Sequence, residues 1–216
     1  MTQTIENTEF LTLRFLHFNN KIDEVRKMNL YIVRHGQTDW NLIKKIQGQT
    51  DIELNETGKQ QAKVTSDLIK NEKIDLIITS PLKRASETAK IINMRFDVPI
   101  IEDKRLMERN FGKCEGTTKN ERKKMKEIHP EINDVWNYNR NINFNDMETM
   151  KEFCNRIYEF LNEITEKYRD KNILIVTHGG TSMIIKCYFM KYPLEKLVDR
   201  DTVKGLENCE IMSFNI

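Results

Sequence analysis

The segment Leu30-Tyr31-Ile32-Val33-Arg34-His35-Gly36-Gln37-Thr38-Asp39-Trp40-Asn41 decides how the rest of the chain is read. An apolar run ends abruptly in a cation, an imidazole and a glycine. Such a run, bounded by turn chemistry, reads as a buried strand. In open α/β sheets, ligands bind beyond the carboxyl ends of the strands. Arg34 and His35 therefore stand where a site belongs. A second segment repeats the grammar, since Asn172-Ile173-Leu174-Ile175-Val176-Thr177 runs into His178-Gly179-Gly180. If these strands are parallel neighbours, two histidines distant in sequence face one ligand.

Between and around them, helical and strand patterns alternate. Asn55 or Thr57 can cap a helix carrying Ala62, Thr65, Leu68 and Ile69 on one face. Ile74 to Thr79 reads as a strand. It leads into Ser80-Pro81, an N-cap with Pro at the first helical position, and a helix burying Leu82, Ala85, Ala89 and Ile92. Val98 to Ile101 is a short strand, and Arg105 to Gly116 a loop. Residues 117–147, charged and Asn-rich, read as an inserted helical lid with irregular connections. After Thr149, a cap, Met150, Phe153, Ile157, Phe160, Leu161, Ile164 and Tyr168 recur at helical spacing. A helix follows His178 through Met190, and Cys209 to Phe214 closes the sheet. The pattern predicts a three-layer α/β/α fold with a mostly parallel central sheet.

Residues 1–27 read as an N-terminal extension, in which the alternation of Leu11, Leu13 and Phe15 suggests an added edge strand. Residues 28–216 read as a single domain. Lys plus Arg total 35 against 33 Asp plus Glu, a net charge of +2 that gives no footprint for nucleic acid or a membrane surface. No apolar run approaches the roughly 18 residues that span a bilayer. Cys114, Cys154, Cys187 and Cys209 are scattered without a C-x-x-C pair. With no secretion signal visible, they predict reduced thiols in a cytoplasmic protein.

The chemistry suggested is a cage for one small anion. Arg34 ends a strand and Arg84 falls in the first turn of a helix that starts at a strand end. Helix N-termini and Arg forks both favour phosphate oxygens. Asn41 adds a neutral donor. No G-x-S-x-G is present and no acidic cluster suggests a metal, so an imidazole is the natural nucleophile. Its ordinary pKa of about 6.5 leaves it largely unprotonated at neutral pH. A leaving alkoxide needs a proton, and Glu108 is the best placed acid, with Glu102 and Glu115 as nearby alternatives.

The motifs Arg34-His35-Gly36 with Thr38 and Trp40-Asn41, Gln47-Gly48, Ser80-Pro81-Leu82-x-Arg84-Ala85-x-x-Thr88-Ala89, Glu108 with Phe111-Gly112 and Glu115-Gly116, and Thr177-His178-Gly179-Gly180 together resemble the histidine phosphatase (phosphoglycerate mutase-like) superfamily. The resemblance runs from Met28 to the end. It implies His35 as the nucleophile that becomes phosphohistidine and Arg34, Arg84 and His178 as ligands of the phosphoryl group. It also implies Glu108 as proton donor, and Asn41, Gln47 and Gly179 as lining of the substrate pocket. It implies no metal or organic cofactor, and a small phosphorylated metabolite as the partner of a monomer or homodimer.

Within that family, His178-Gly179-Gly180-Thr181 replaces the His-Gly-Asn-Ser of the mutases, and the Glu108–His178 spacing is short. Both favour a phosphatase, resembling broad-specificity or α-ribazole phosphatases. A phosphoglycerate mutase and a non-catalytic phospho-ligand binder are the alternatives. Lys44-Lys45 stands where relatives often carry Gly-Arg, and Cys114 where they often carry Trp, which would remove an aromatic wall from the pocket. The basic run Lys119-Asn120-Glu121-Arg122-Lys123-Lys124 reads as a solvated helix face.

Overall fold

The apolar runs do become a sheet, and its order explains the site. A computed structural model describes residues 15–19, 28–140, 142–144, 146–198 and 203–216. Strands β1 (Phe15–Asn19), β2 (Asn29–Arg34), β3 (Leu76–Thr79), β4 (Ile100–Glu102), β5 (Ile173–Thr177) and β6 (Ile211–Asn215) form one sheet in the order β1-β6-β2-β5-β3-β4. β2, β5, β3 and β4 are mutually parallel, while β6 runs antiparallel to β2 and carries β1 parallel on its outer edge. Leu11 and Leu13, part of the alternation read at the N-terminus, lie outside the described residues.

The alternation of side chains along each strand divides the interior into two layers. Leu30, Ile32, Ile173 and Ile175 face the helices α5 (Met150–Lys167) and α6 (Gly179–Met190), packing with Phe153, Ile157, Phe160 and Ile184. Tyr31, Val33, Leu174 and Val176 face the opposite way, onto Ile69, Ala85, Ala89 and Ile92 of the α2 (Glu56–Leu68) and α3 (Lys83–Phe96) side. Each fully buried Leu, Ile or Phe contributes about 1.5–3 kcal/mol. The three-layer α/β/α class read from the pattern is the observed one.

Caps follow local chemistry. Thr38 forms a capping box with Asn41 at the short α1 (Asp39–Leu42), Asn55 accepts from the Gly58 N–H to start α2, and Thr149 forms a capping box with Glu152 at α5. Several expectations need correction. Leu68 is exposed, because α2 turns its Ala62, Thr65 and Ile69 inward and Leu68 lies beyond that stripe. β4 begins two residues later than read, at Ile100, and β6 at Ile211, since the preceding Cys209 has a positive φ of 57° that precludes extended pairing. The N-cap of α3 is Leu82, which makes no side-chain cap bond; Ser80 serves elsewhere.

Residues 117–147 hold α4 (Lys119–Ile128) and a 3₁₀ turn, Pro130–Asp134. α4 buries none of its residues, as a solvated face should, although Met125 leans on a satellite core of Phe111, Cys114, Ile132, Val135, Phe144 and Met147.

Candidate active site

β2 and β5 are adjacent and in register, with Arg34 opposite Thr177. The His35 N–H bonds the Thr177 carbonyl at 2.9 Å. The two histidines that follow these strands therefore meet, with ring centroids 5.2 Å apart. Both are buried, at 3% and 0% exposure.

Backbone geometry sets the tautomer of His35. Nδ1 lies 2.7 Å from the Gly36 carbonyl, which can only accept, so Nδ1 carries the proton and Nε2 keeps a lone pair. The loop is held tightly. The Gly36 N–H donates to Thr88 Oγ1, and a Cβ on Gly36 would stand 2.4 Å from the Gly58 carbonyl oxygen. Only glycine permits that contact. The Asn208 amide also donates to the His35 carbonyl at 2.9 Å.

His178 Nε2 pairs with Ser80 Oγ at 2.8 Å, and Ser80 in turn accepts from the Leu82 N–H. When Ser80 donates to Nε2, the His178 proton sits on Nδ1, a buried atom without a protein partner. Nε of Arg34 and Nε of Arg84 are likewise buried and unpartnered, as is Oε1 of Gln47. Orphaned buried donors are costly unless a ligand completes them. Three donors of this kind around one imidazole form a cradle suited to an anion.

The cations are fixed by their other nitrogens. Arg34 Nη1 donates to the Leu206 carbonyl at 2.9 Å. Arg84 sends Nη1 to the Thr50 carbonyl and Nη2 to the Gly48 carbonyl, at 2.9 and 2.7 Å. Burial lowers the Arg84 pKa to about 10, partly offset by the Glu108 and Asp51 carboxylates, and it remains a cation at neutral pH.

A cleft of about 150 Å³ is lined by Arg34, His35, Asn41, Gln47, Arg84 and Glu108, together with Gly48, Lys45, Ile46 and Phe111. It gathers six of the eight residues expected at the site. The other two lie just behind: His178 against His35, and Gly179 with its Cα side against the Arg34 guanidinium, 3.5 Å from where a Cβ would stand. The choice among the acids is decided by contacts. Glu115 spends its carboxylate on the N–H groups of Gln49, Thr50 and Phe111 and on the Thr50 hydroxyl. Glu102 binds Ser86 Oγ on the far side of α3. Glu108 is half-buried in the cleft, accepting from the Gly180 and Arg109 N–H groups, each at 2.9 Å.

Two departures read from the sequence take on a shape. Lys44 has φ 54°, the left-handed region where the Gly of relatives is at ease. Lys45 sits at the cleft with its Nζ 5.4 Å from the Trp40 ring centroid. Cys114, by contrast, is not at the cleft. It is buried in the satellite core, and the aromatic wall is Phe111. Sequence reasoning missed Ser80 and Asn208 as supports. Ser80 was legible only as a cap, and Asn208 had no motif around it.

Both histidine pKa values lie well below 6.5, chiefly from burial and then from Arg84, with further lowering from Arg34. The folded state therefore refuses protons that the unfolded chain accepts below about pH 6.5. Stability is full above that pH and falls on acidification. The expected slope below pH 6 is up to about 1.4 kcal/mol per pH unit for each histidine. Denaturant unfolding of wild type and His178→Gln between pH 5 and 7 checks this, with the variant showing the shallower loss.

Among the described residues, no three or more His, Cys, Asp or Glu side chains gather as a metal site, and no helix is long and apolar enough to cross a membrane. The described fold and cleft are those of an α/β phosphoryl-binding protein. Residues 30–216 match the model of the histidine phosphatase superfamily (branch 1), and the chain belongs to that family. It is 43% identical over 149 residues to the uncharacterized phosphatase PhoE of Bacillus subtilis, covering 69% of this chain and 70% of that one. It is 36% identical to phosphoglycerate mutase-like protein 4 of Arabidopsis thaliana, covering 73% and 69%. A mycobacterial glucosyl-3-phosphoglycerate phosphatase solved with VO3 superposes with a TM-score of 0.75 at 25% identity, covering 86% and 90%.

Proposed function

We propose that this protein hydrolyses the phosphomonoester of a small metabolite through a phosphohistidine on His35. The observation that carries the reading is the lone pair of His35 Nε2, set among the orphaned donors of Arg34, Arg84 and His178. Nε2 attacks phosphorus while the ester P–O bond breaks. Arg34, Arg84 and His178 take up the charge on the equatorial oxygens. Glu108 gives its proton to the departing alkoxide, then receives one from the water that attacks phosphohistidine. Inorganic phosphate leaves, and His35 is restored. Asn41 and Gln47 complete the oxygen cage.

Water access favours hydrolysis over mutation. Glu108 keeps part of its surface exposed at the cleft, where a mutase must keep water out. The sequence His178-Gly179-Gly180-Thr181 points the same way. The volume of the cleft suits a phosphoryl group with a compact leaving group, whose far end meets Lys45, Ile46 and Phe111. Four buried free thiols fit a reducing, cytoplasmic setting. The protein is expected to act as a monomer or homodimer, without nucleic acid or membrane.

A panel of phosphomonoesters that includes 3-phosphoglycerate tests the reading. Phosphate release without isomerisation is the expected result. Isomerised phosphoglycerate would make the protein a mutase, and saturable binding without either product a phospho-ligand binder.

A further inference from the structure

Arg156 lies in the second turn of α5, outside the lining of the cleft, yet every N–H of its guanidinium is spent. Nε donates to Glu148 Oε1 at 2.6 Å, and Nη2 to Glu148 Oε2 at 3.0 Å. Nη1 donates to the carbonyls of Arg105 and Met107, at 2.6 and 2.8 Å, and Nη2 also to the carbonyl of Glu108 at 3.1 Å. Five donors meet five acceptors, and three of those acceptors belong to the main chain around Glu108. The guanidinium also covers the Phe153 ring, 4.8 Å from its centroid.

Glu148 is fixed from its own side. Its Oε2 accepts from the Asn110 N–H, and its carbonyl accepts from Nε of Arg109, a fully buried arginine. The side chains of Arg156 and Glu148 are only 18% and 13% exposed. An ion pair this far from solvent gives little net stability against an apolar replacement, but it defines geometry sharply. What it defines here is the segment 105–110. With that segment held, the Glu108 carboxylate reaches the Gly180 N–H at the start of α6. The approach is close: a Cβ on Gly180 would stand 2.4 Å from Glu108 Oε1.

We propose that the Arg156–Glu148 pair is the positioning device of the catalytic acid, setting where Glu108 meets the leaving oxygen. The proposal rests on the phosphatase reading above. Its signature is dependence on the leaving group. A nitrophenolate departs without a proton, whereas a glycerol alkoxide needs one. Displacing Glu108 therefore hurts the second ester and spares the first.

The test measures kcat/KM for p-nitrophenyl phosphate and for glycerol phosphate in wild type, Arg156→Lys, Glu148→Gln and Glu108→Gln. Lysine keeps the charge but has three donors on one nitrogen, too few to span five acceptors. General acid catalysis contributes about 10²–10⁴-fold. Loss of Glu108 should cost that on the alkyl ester, and the two pair variants roughly 10–100-fold, with the aryl ester changed less than about threefold in the pair variants. Thermal melts confirm that the variants are folded; should Arg156→Lys not fold, the milder Glu148→Gln carries the comparison. Equal losses on both esters in the pair variants, or no loss on either while Glu108→Gln shows its selective defect, would overturn the positioning role. A wild type that hydrolyses neither ester would instead overturn the phosphatase reading beneath it.

Discussion

His35→Ala is expected to lower phosphatase turnover by on the order of 10⁴-fold or more, while leaving a folded protein that still binds inorganic phosphate. The size follows from the role. Without Nε2 there is no acceptor for phosphorus, and the two-step route collapses to direct attack by water. The cradle survives because its donors are anchored elsewhere: Arg34 on Leu206, Arg84 on Gly48 and Thr50, and His178 on Ser80. The stability cost includes the bond from His35 Nδ1 to the Gly36 carbonyl, roughly 0.5–1.5 kcal/mol. Acid-labile phosphate trapped by rapid quench from a labelled ester should appear on the wild type and vanish in the variant. Equal labelling of both would remove His35 from the nucleophile's place. Calorimetric titration with phosphate supplies the second half, since the variant should retain binding within about tenfold of wild type.

The cations and histidines proposed for catalysis were legible because their positions are dictated locally. A β-branched run that stops at Arg-His-Gly or His-Gly-Gly can scarcely be anything other than a buried strand delivering polar groups at its carboxyl end. Register then follows, because parallel neighbours with a shared buried face bring Arg34 level with Thr177. The acid was less legible. Glu102, Glu108 and Glu115 are indistinguishable by residue type, and only tertiary contacts show that Glu115 nests backbone N–H groups and Glu102 faces Ser86. The supports were hidden for a related reason. Arg156 sits on an amphipathic helix where an arginine reads as solvent-facing, and Glu148 precedes a cap where an acid reads as dipole chemistry. Their partnership spans α5 and the 105–110 loop, a pairing that no local pattern encodes. Ser80 was misread because its local grammar, Ser before Pro, outweighed a partner 98 positions away.

Arg84 is a point of energetic tension in the site, and its replacement should be nearly as costly as that of His35. It is 1% exposed, and its charge is held by two carbonyls rather than by a contacting carboxylate. Burial opposes that charge strongly enough to bring its pKa to about 10. The cleft is thus lined by three cations, Arg34, Lys45 and Arg84, with Glu108 the one acidic side chain among its lining residues. A phosphate dianion resolves the imbalance by accepting from both free Nε groups. Arg84→Lys keeps the charge but offers one nitrogen, which cannot hold Gly48 and Thr50 and also reach phosphate. Losing such a fork at a transferring phosphoryl group is expected to lower kcat/KM by about 10³-fold. Arg84→Met should lose at least as much, and it removes the main source of ligand linkage. In the wild type, phosphate at a hundred times its Kd adds about 2.7 kcal/mol to stability and raises Tm accordingly. In Arg84→Met that rise should be nearly absent, even though an apolar side chain at this buried position spares the protein a desolvated charge. Melts with and without phosphate, beside the kinetics, separate the two possible roles. If Arg84→Lys retains kcat/KM within about threefold and the full phosphate-dependent rise in Tm, Arg84 is a tie for the 48–50 loop and the cradle is closed by other groups.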